Sequence, residues 1–314
     1  MKLDLRPATQ NDYPTIAQIH NATWTDHPVL AEDLARADAK RSDNDFISRF
    51  VGEFEGSSIA EGSVQFVSKD QMYLEVNVLP EFQSRGFGRQ FYGFLELEIV
   101  RFNPASLLCY VREVQPFALD FVTARGFTEV LRTYHQTLHI SNFDAERFDN
   151  IFQNLELSGY SIQSFAELQS DPEAELKLYA LFTSADADVP RVYDWQAPSF
   201  EDFKQKNLGH PKILQQASFI ALKNGEWVGL TQSRLRPDAA QLHTGMTGVL
   251  REHRGQNLAL ALKIRAVEYA ILHGFTEFHS NNASTNKPML AINTKLGFKR
   301  SPAQIQLEKK FSQT

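Results

Sequence analysis

The chain has 314 residues, long enough for two domains of ordinary size, and 42% of them are apolar, enough to build real cores. A formal net charge of −6 argues against a general nucleic-acid-binding surface, which carries a basic excess, but leaves room for a local basic pocket around an anionic cofactor. Cys109 is the single cysteine and lies in the apolar run SLLCYV, so neither an intrachain disulfide nor a multi-cysteine metal site can form, and the thiol is expected to be buried. The opening residues MKLDLRPATQ contain no apolar leader core, and no run approaches the ~20 apolar residues of a membrane span. No membrane or nucleic-acid partner, no metal and a cytoplasmic setting are therefore expected.

In chain order, KLDLRPA reads as a strand and NDYPTIAQIHNAT as a helix. DFISRFVGEFEG and SSIAEGSVQFVS are strands around a glycine turn, and QMYLEVNVL is the next strand. From Phe87 the apolar residues Phe87, Phe91, Phe94, Leu95 and Ile99 recur at helical spacing. SLLCYV is a strand, QPFALDFVTARG a helix stopped by Gly126, and TEVLRTYHQTLHI the strand that closes the unit. SNFDAERFDNIFQNLEL is not low-complexity and reads as a packed helical connector.

The order then repeats. GYSIQSF opens the second half and EAELKLYALFTSA follows as a helix. SFIALKNGEWVGLTQSRL is a hairpin with Asn224-Gly225 as its turn signal, and AQLHTGMTGVL is the next strand. A helix runs to Gly274, then come the strand FTEFHS, the helix KPMLAINTKLG and the last strand AQIQLEKKF. Val78-Leu79 recurs at Val249-Leu250 and Gly126-Phe127 at Gly297-Phe298, both at an offset of 171 (249 − 78 and 297 − 126). One offset over that stretch indicates two copies of one fold, divided here as residues 1–145 and 146–314.

Each copy carries a strand that ends in a turn and leads straight into a helix: VLPEFQSRGFG and VLREHRGQNLA. The first amides of a helix lack internal partners and, with the helix dipole, favour a phosphate or pyrophosphate. Gly86 and Gly88 let the first backbone approach a ligand and tolerate positive φ. Their counterparts are Asn257 and Ala259, and asparagine is the non-glycine residue best suited to a left-handed backbone. A single Gly-x-Gly after a strand is equally a tight strand-to-helix turn. The three-glycine dinucleotide fingerprint is absent from both copies, which excludes a Rossmann-type reading.

With these motifs in place, each copy resembles a GNAT acyltransferase domain, and the pair is similar to mycothiol synthase-like two-domain members of that family. The Gln/Arg-x-x-Gly-x-Gly/Ala signature is matched by Gln83-Ser84-Arg85-Gly86-Phe87-Gly88, followed by Arg89, and by Arg254-Gly255-Gln256-Asn257-Leu258-Ala259. ARGF and KLGF match the family's Leu-Gly-Phe helix end. The resemblance implies an α/β (α+β) fold of two tandem domains, each a mixed, mostly antiparallel sheet flanked by helices. It also implies acetyl-coenzyme A, or another acyl-coenzyme A, as co-substrate. The signature would bind its pyrophosphate, and the strand amides of Val78 and Leu79, or Val249 and Leu250, its pantetheine arm. The reaction implied is direct attack of a small-molecule amine on the thioester in a ternary complex.

An asparagine at the start of the next helix often contacts the cofactor in this family. Asn286 holds that place, and Gln115 (286 − 171) in the first copy. The family's tyrosine acid is replaced by Val122 and Asn293, so the general acid is unassigned. For the base, the second copy offers His243, with Thr247 on the same alternating face, and the first offers Glu75. Each reads equally as a strand residue without a role. His253 is expected to be a loop residue beside the cofactor. The second domain is expected to be catalytic and the first structural or cofactor-binding. A non-catalytic acyl-coenzyme A sensor or scaffold is the alternative, favoured by the missing tyrosines. Trp24, Asp26, Asp186, Asp188, Tyr193 and Trp195 suit a cationic amine or are ordinary surface turns. The chain is expected to be a monomer with paired domains or a homodimer.

Overall fold

The computed structural model describes residues 1–25, 28–39, 46–192, 195–238 and 240–311, without the side chain of Asp149. By contacts the chain divides into two compact units, Met1–Arg132 with Gln304–Thr314, and Thr133–Ala303. The sequence reading placed the division at 145/146. The difference lies in the closing strands, as set out below.

The first unit runs β1 (Asp4–Pro7), α1 (Tyr13–Thr23), α2 (Ala31–Ala39), β2 (Ile47–Phe54), β3 (Ser57–Ser68), β4 (Gln71–Val78), α3 (Phe87–Val100), β5 (Ser106–Arg112) and α4 (Pro116–Thr123). After it β6 spans Thr128–His139. Strands β1 to β4 pair antiparallel in order, and β4 then pairs parallel with β5. The next strand is not β6. It is the Gln304–Lys310 part of the last strand of the chain, antiparallel to β5. Phe87, Phe91 and Leu95 of α3 bury against Ile59, Val64, Met72 and Leu107, with Ile305 and Leu307 supplied by that last strand. Gly62 allows this close packing: a Cβ there would lie 2.6 Å from Phe91 Cε1.

The second unit repeats the plan. It contains α5 (Asp149–Leu157), β7 (Tyr160–Ser164), α6 (Phe165–Leu168), α7 (Ala174–Asp186), α8 (Phe200–Phe203), β8 (Ile213–Lys223), β9 (Glu226–Leu235), β10 (Gln241–Val249), α9 (Leu258–Leu272), β11 (Glu277–Ala283) and α10 (Lys287–Leu296), before β12 (Lys299–Lys310). Strands β7 to β10 are antiparallel and β10/β11 parallel, and β11 is flanked by Thr133–His139 of β6. Each copy is thus closed by the strand expected of the other. The reading of TEVLRTYHQTLHI and AQIQLEKKF as strands holds, but their assignment to units does not. Their apolar residues fit either sheet, and adjacency in the chain was the only guide.

The expected fold class, mixed and mostly antiparallel sheets flanked by helices, is the one observed. The Asn224-Gly225 turn has φ of +52° and +89°, both left-handed as a two-residue hairpin loop requires. Helix α2 was not anticipated, and β8 begins at Ile213 rather than near Ser218. Among the described residues no helix is long and apolar enough to cross a membrane.

Candidate functional site

The two signature segments form matching turns. Each passes through a short 3-10 turn, Pro80–Phe82 or Arg251–His253, and enters a helix capped by a left-handed residue: Gly86 at φ +87° before α3, and Asn257 at φ +61° before α9. A second left-handed residue precedes it by two positions, Ser84 at +60° in one copy and Gly255 at +80° in the other. The copies have exchanged which of the two is glycine. Gly88 and Ala259 lie inside the helices and need no positive φ. A Cβ at Gly88 would meet only Val78 Cγ2, at 4.0 Å, so alanine is accepted there. The cradles are open, since a Cβ at Gly86 or Gly255 would meet nothing within 4 Å. Outward amides at a helix start and an uncrowded backbone fit a pyrophosphate.

The flanking side chains divide the labour. Gln83 Nε2 donates to Val78 O (2.8 Å) and Arg254 Nε to Val249 O (2.9 Å), so the leading signature residue ties the turn to its strand in both copies. Arg85, Arg89 and Gln256 are exposed around the cradle. Phe87 and Leu258 are core residues whose side chains face away from it. Leu79 and Leu250 already donate their amides to Ile59 O and Val228 O, each at 2.9 Å. These two amides are therefore not free for a pantetheine arm. Arg251 and Arg254 both pair with Asp188, which holds its carboxyl well below the usual range. Asp188 thus braces the cradle instead of facing an acceptor. His253, at the end of the 3-10 turn, shares a hydrogen bond with Tyr160 Oη (3.0 Å) at the start of β7.

Beyond each cradle the two parallel strands part. The β4/β5 pairing stops at Tyr73↔Leu108, and β10/β11 at His243↔His279. The second splay holds a cavity of about 280 Å³, lined among others by Thr244, Thr247, Lys263, Asn282, Asn286 and Asp186. Asn286 caps α10, its Oδ1 accepting from Met289 N (3.3 Å). Asp186 accepts from Arg191 Nη2 (2.6 Å) and Trp195 Nε1 (2.8 Å). Asn293, in the expected tyrosine position, is fully buried and donates to Gln136 Oε1 and Asn282 Oδ1.

His243 and Thr247 do not share a face. A bulge at Gly245 shifts the register, with Thr244 opposite Ser233 but Met246 opposite Gln232. One extra residue inverts the alternation, so Thr247 joins Thr244 on the α9 side while His243 lies on the other. Thr247 Oγ1 bonds Thr231 Oγ1 (2.8 Å). His243 is buried with Nδ1 unpartnered, and burial and the neighbouring arginines push its pKa well down. It does not line the cavity, so the structure does not place it as the base.

On that same face runs a chain of imidazoles that sequence reasoning missed. His139 Nδ1 lies 3.1 Å from Glu277 Oε1, His279 Nε2 2.9 Å from Glu277 Oε2, His135 Nε2 2.9 Å from His279 Nδ1, and Asn281 Oδ1 2.7 Å from His135 Nδ1. Glu277 and Asn281 Oδ1 each accept from a ring, and the proton between His135 Nε2 and His279 Nδ1 can sit on either nitrogen. Asn281 lines the cavity and His139 is more than half exposed.

The first splay holds a smaller cavity of about 110 Å³, lined by Trp24, Glu75, Asn77, Tyr92, Gln115 and Val122 among others. Glu75 lies 3.5 Å and Glu61 3.8 Å from His20 Nδ1. Asn77 Nδ2 donates to both carboxylates (2.5 Å to Glu61, 2.8 Å to Glu75), and Asn77 Oδ1 accepts from Trp24 Nε1 (3.0 Å). Burial pushes the Glu61 carboxyl up. Burial is also the largest influence on Glu75 and opposes its ionisation, but the hydrogen bond and charge of His20 together with bonds from Asn77 and Tyr73 outweigh it and lower the carboxyl. Burial disfavours charge on His20, yet the two carboxylates raise it to about 10. One ligand atom from each of the three lies within 4.8 Å of the others, a donor set that could hold a cation. Met246 occupies the corresponding place in the second unit (246 − 171 = 75). Cys109 is buried, as expected, and its thiol is pushed up to about 12 by burial. Asp26 and Tyr193 lie outside the described residues.

Residues 179–298 match the family model described as Acetyltransferase (GNAT) family. No curated protein matches the chain. Among solved structures, a tandem GNAT protein from the clavulanic acid biosynthesis pathway (without AcCoA) superposes with a TM-score of 0.76 at 19% identity, covering 100% of both chains. A GCN5-related N-acetyltransferase from Sphaerobacter thermophilus gives 0.73 at 18% identity, over 98% of this chain and 95% of that one. An acetyltransferase from the GNAT family from Colwellia psychrerythraea gives 0.63 at 12%, over 98% and 100%. At these identities the likeness is one of fold.

Proposed function

We propose that the second unit moves an acetyl group from acetyl-coenzyme A to the amine of a small molecule, a reading supported by the match of residues 179–298 to the GNAT acetyltransferase family model and by the likeness in fold to a tandem GNAT protein. The observation that carries this reading is the open splay beyond His243↔His279, a cavity of about 280 Å³ beside the helix capped by Asn286. The pyrophosphate would rest on the start of α9, between the left-handed Gly255 and Asn257, with Arg254 holding the turn. Held there, the acyl arm enters the splay and meets the amine in line, which removes much of the entropic barrier to a bimolecular attack. The proton shed by the amine has a path on the cavity's far side through His135, His279 and Glu277.

A second reading, that the first unit also transfers, is favoured by Glu75. It is a half-buried carboxylate at the wall of the first splay, held ionised beside His20, as a general base requires. Thiol release from acetyl-coenzyme A against a panel of diamines, aminoglycosides and amino acids tests the activity. Release with at least one amine is expected. Tight binding of acetyl-coenzyme A with no release for any amine would favour the sensor or scaffold alternative.

A further inference from the structure

Lys263 sits in α9 within the apolar run LALALKIRAV and is 1% exposed. Its Nζ donates to Thr244 Oγ1 (3.2 Å) and lies 5.1 Å from the centre of the Phe298 ring. Thr244 is the first residue of β10 past the last one paired with β11. Lys263 therefore reaches the apex of the splay, and it lines the cavity there. Asp186 is the other ionisable residue among the described residues of that lining. Packing alone does not explain an amine at this point, since leucine or methionine would fill the space without a buried nitrogen. The first unit makes the same choice with different chemistry. The position 171 earlier is Tyr92, which lines the first splay cavity and carries a hydroxyl that donates to Glu96 Oε1 (2.9 Å). Both copies thus set a proton-bearing side chain at one helical position facing the parted strands.

We propose that Lys263 is a catalytic residue of the second unit, the acid that protonates the sulfur leaving the acyl thioester. The inference rests on the acyl-transfer reading. As the acceptor nitrogen bonds to the carbonyl carbon, the carbon–sulfur bond breaks and its electron pair passes to sulfur. A proton moves from Lys263 Nζ to that sulfur, giving the thiol and a neutral lysine. The proton released by the newly acylated nitrogen recharges Lys263 through solvent, so the enzyme ends as it began. Burial lowers the Lys263 pKa to about 7, below the ~8.5 of an ordinary thiol. A lysine at its usual ~10.4 would be a weaker acid than the thiol it must form, so burial orders the two groups for transfer towards sulfur.

The test compares the affinities of coenzyme A and desulfo-coenzyme A, which lacks the sulfur, for the full chain and its Lys263→Met variant. Both carry Gly88→Trp to silence the first cradle. Below pH 7, where Lys263 is charged, a charge-assisted hydrogen bond of about 1.5–3 kcal/mol predicts that coenzyme A binds roughly ten- to a hundredfold more tightly than desulfo-coenzyme A. In Lys263→Met that ratio falls to near one while desulfo-coenzyme A affinity holds, which also shows that the variant is folded. With an amine that turns over, the wild-type rate declines above about pH 7, and the variant is slower by about 10²–10⁴-fold and loses this decline. An affinity ratio that is the same in both proteins overturns the role of Lys263 and leaves the acyl-transfer reading standing. Failure of both ligands to bind the Gly88→Trp parent overturns the acyl-transfer reading itself, and the proposal with it.

Discussion

Replacing Lys263 by methionine leaves an unbranched side chain one atom shorter and removes the buried charge, and the account predicts how stability then depends on pH. The native amine titrates at about 7 and the ordinary lysine at 10.5. Between these values the unfolded chain holds a proton that the native chain does not, so native stability rises with pH across that window. Below it the native protein bears the whole cost of a buried ammonium, which the gap between the two values puts at about 5 kcal/mol. Above it both states are neutral and that cost is gone. The variant also loses the bond to Thr244, worth about 1 kcal/mol. Lys263→Met should therefore be more stable than wild type by up to roughly 4 kcal/mol below pH 7. It should be level or slightly less stable above pH 10.5. Urea unfolding of the two proteins at a series of pH values measures the difference directly. A difference that stays constant across the window would refute the reasoning, because it would mean that the native amine titrates like an exposed one.

Two further predictions concern the strand ends. Glu75→Gln removes the carboxylate whose bond to His20 helps raise the imidazole to about 10, so His20 should titrate closer to its ordinary 6.5 in a histidine NMR titration. The stability due to charged His20 is fully present below 6.5 and lost as pH rises through about 10. The variant should lose part of it, and an unmoved His20 would show that Glu61 alone holds the charge. Asn286→Ala deletes the α10 cap and should cost about 1 kcal/mol in thermal or urea unfolding. It should also weaken acetyl-coenzyme A binding by calorimetry, whereas an unchanged affinity would remove Asn286 from the binding site.

Much of the fold was legible because it rests on local chemistry. The Asn224-Gly225 turn, the helix from Phe87 and the strand-to-helix turns at Gly86 and Asn257 are all dictated by backbone sterics and apolar spacing within a few residues. The constant offset of 171 exposed the duplication. The exchange of closing strands was not legible, because β6 and β12 are similar strands and nothing local names a partner. His243 failed for a comparable reason. Period-two alternation joins it to Thr247, and only the Gly245 bulge, a feature of strand pairing, separates them. The clusters His20–Glu61–Glu75 and His135–His279–Glu277 bring together residues far apart in the chain, so no spacing could signal them. Lys263 did leave a trace, a cation in LALALKIRAV on a face that must be buried.

The central claim is that the second cradle and splay form the transferring site. Ala259 and Gly88 are matched positions 171 apart, both in a first helical turn and neither left-handed. A tryptophan at either one blocks its own cradle with little strain on the backbone. The most direct measurement is amine-dependent thiol release from acetyl-coenzyme A by Ala259→Trp and Gly88→Trp side by side. Loss of release in Ala259→Trp with release retained in Gly88→Trp is the predicted result. Retained release in Ala259→Trp with loss in Gly88→Trp would contradict the account and place the chemistry at Glu75.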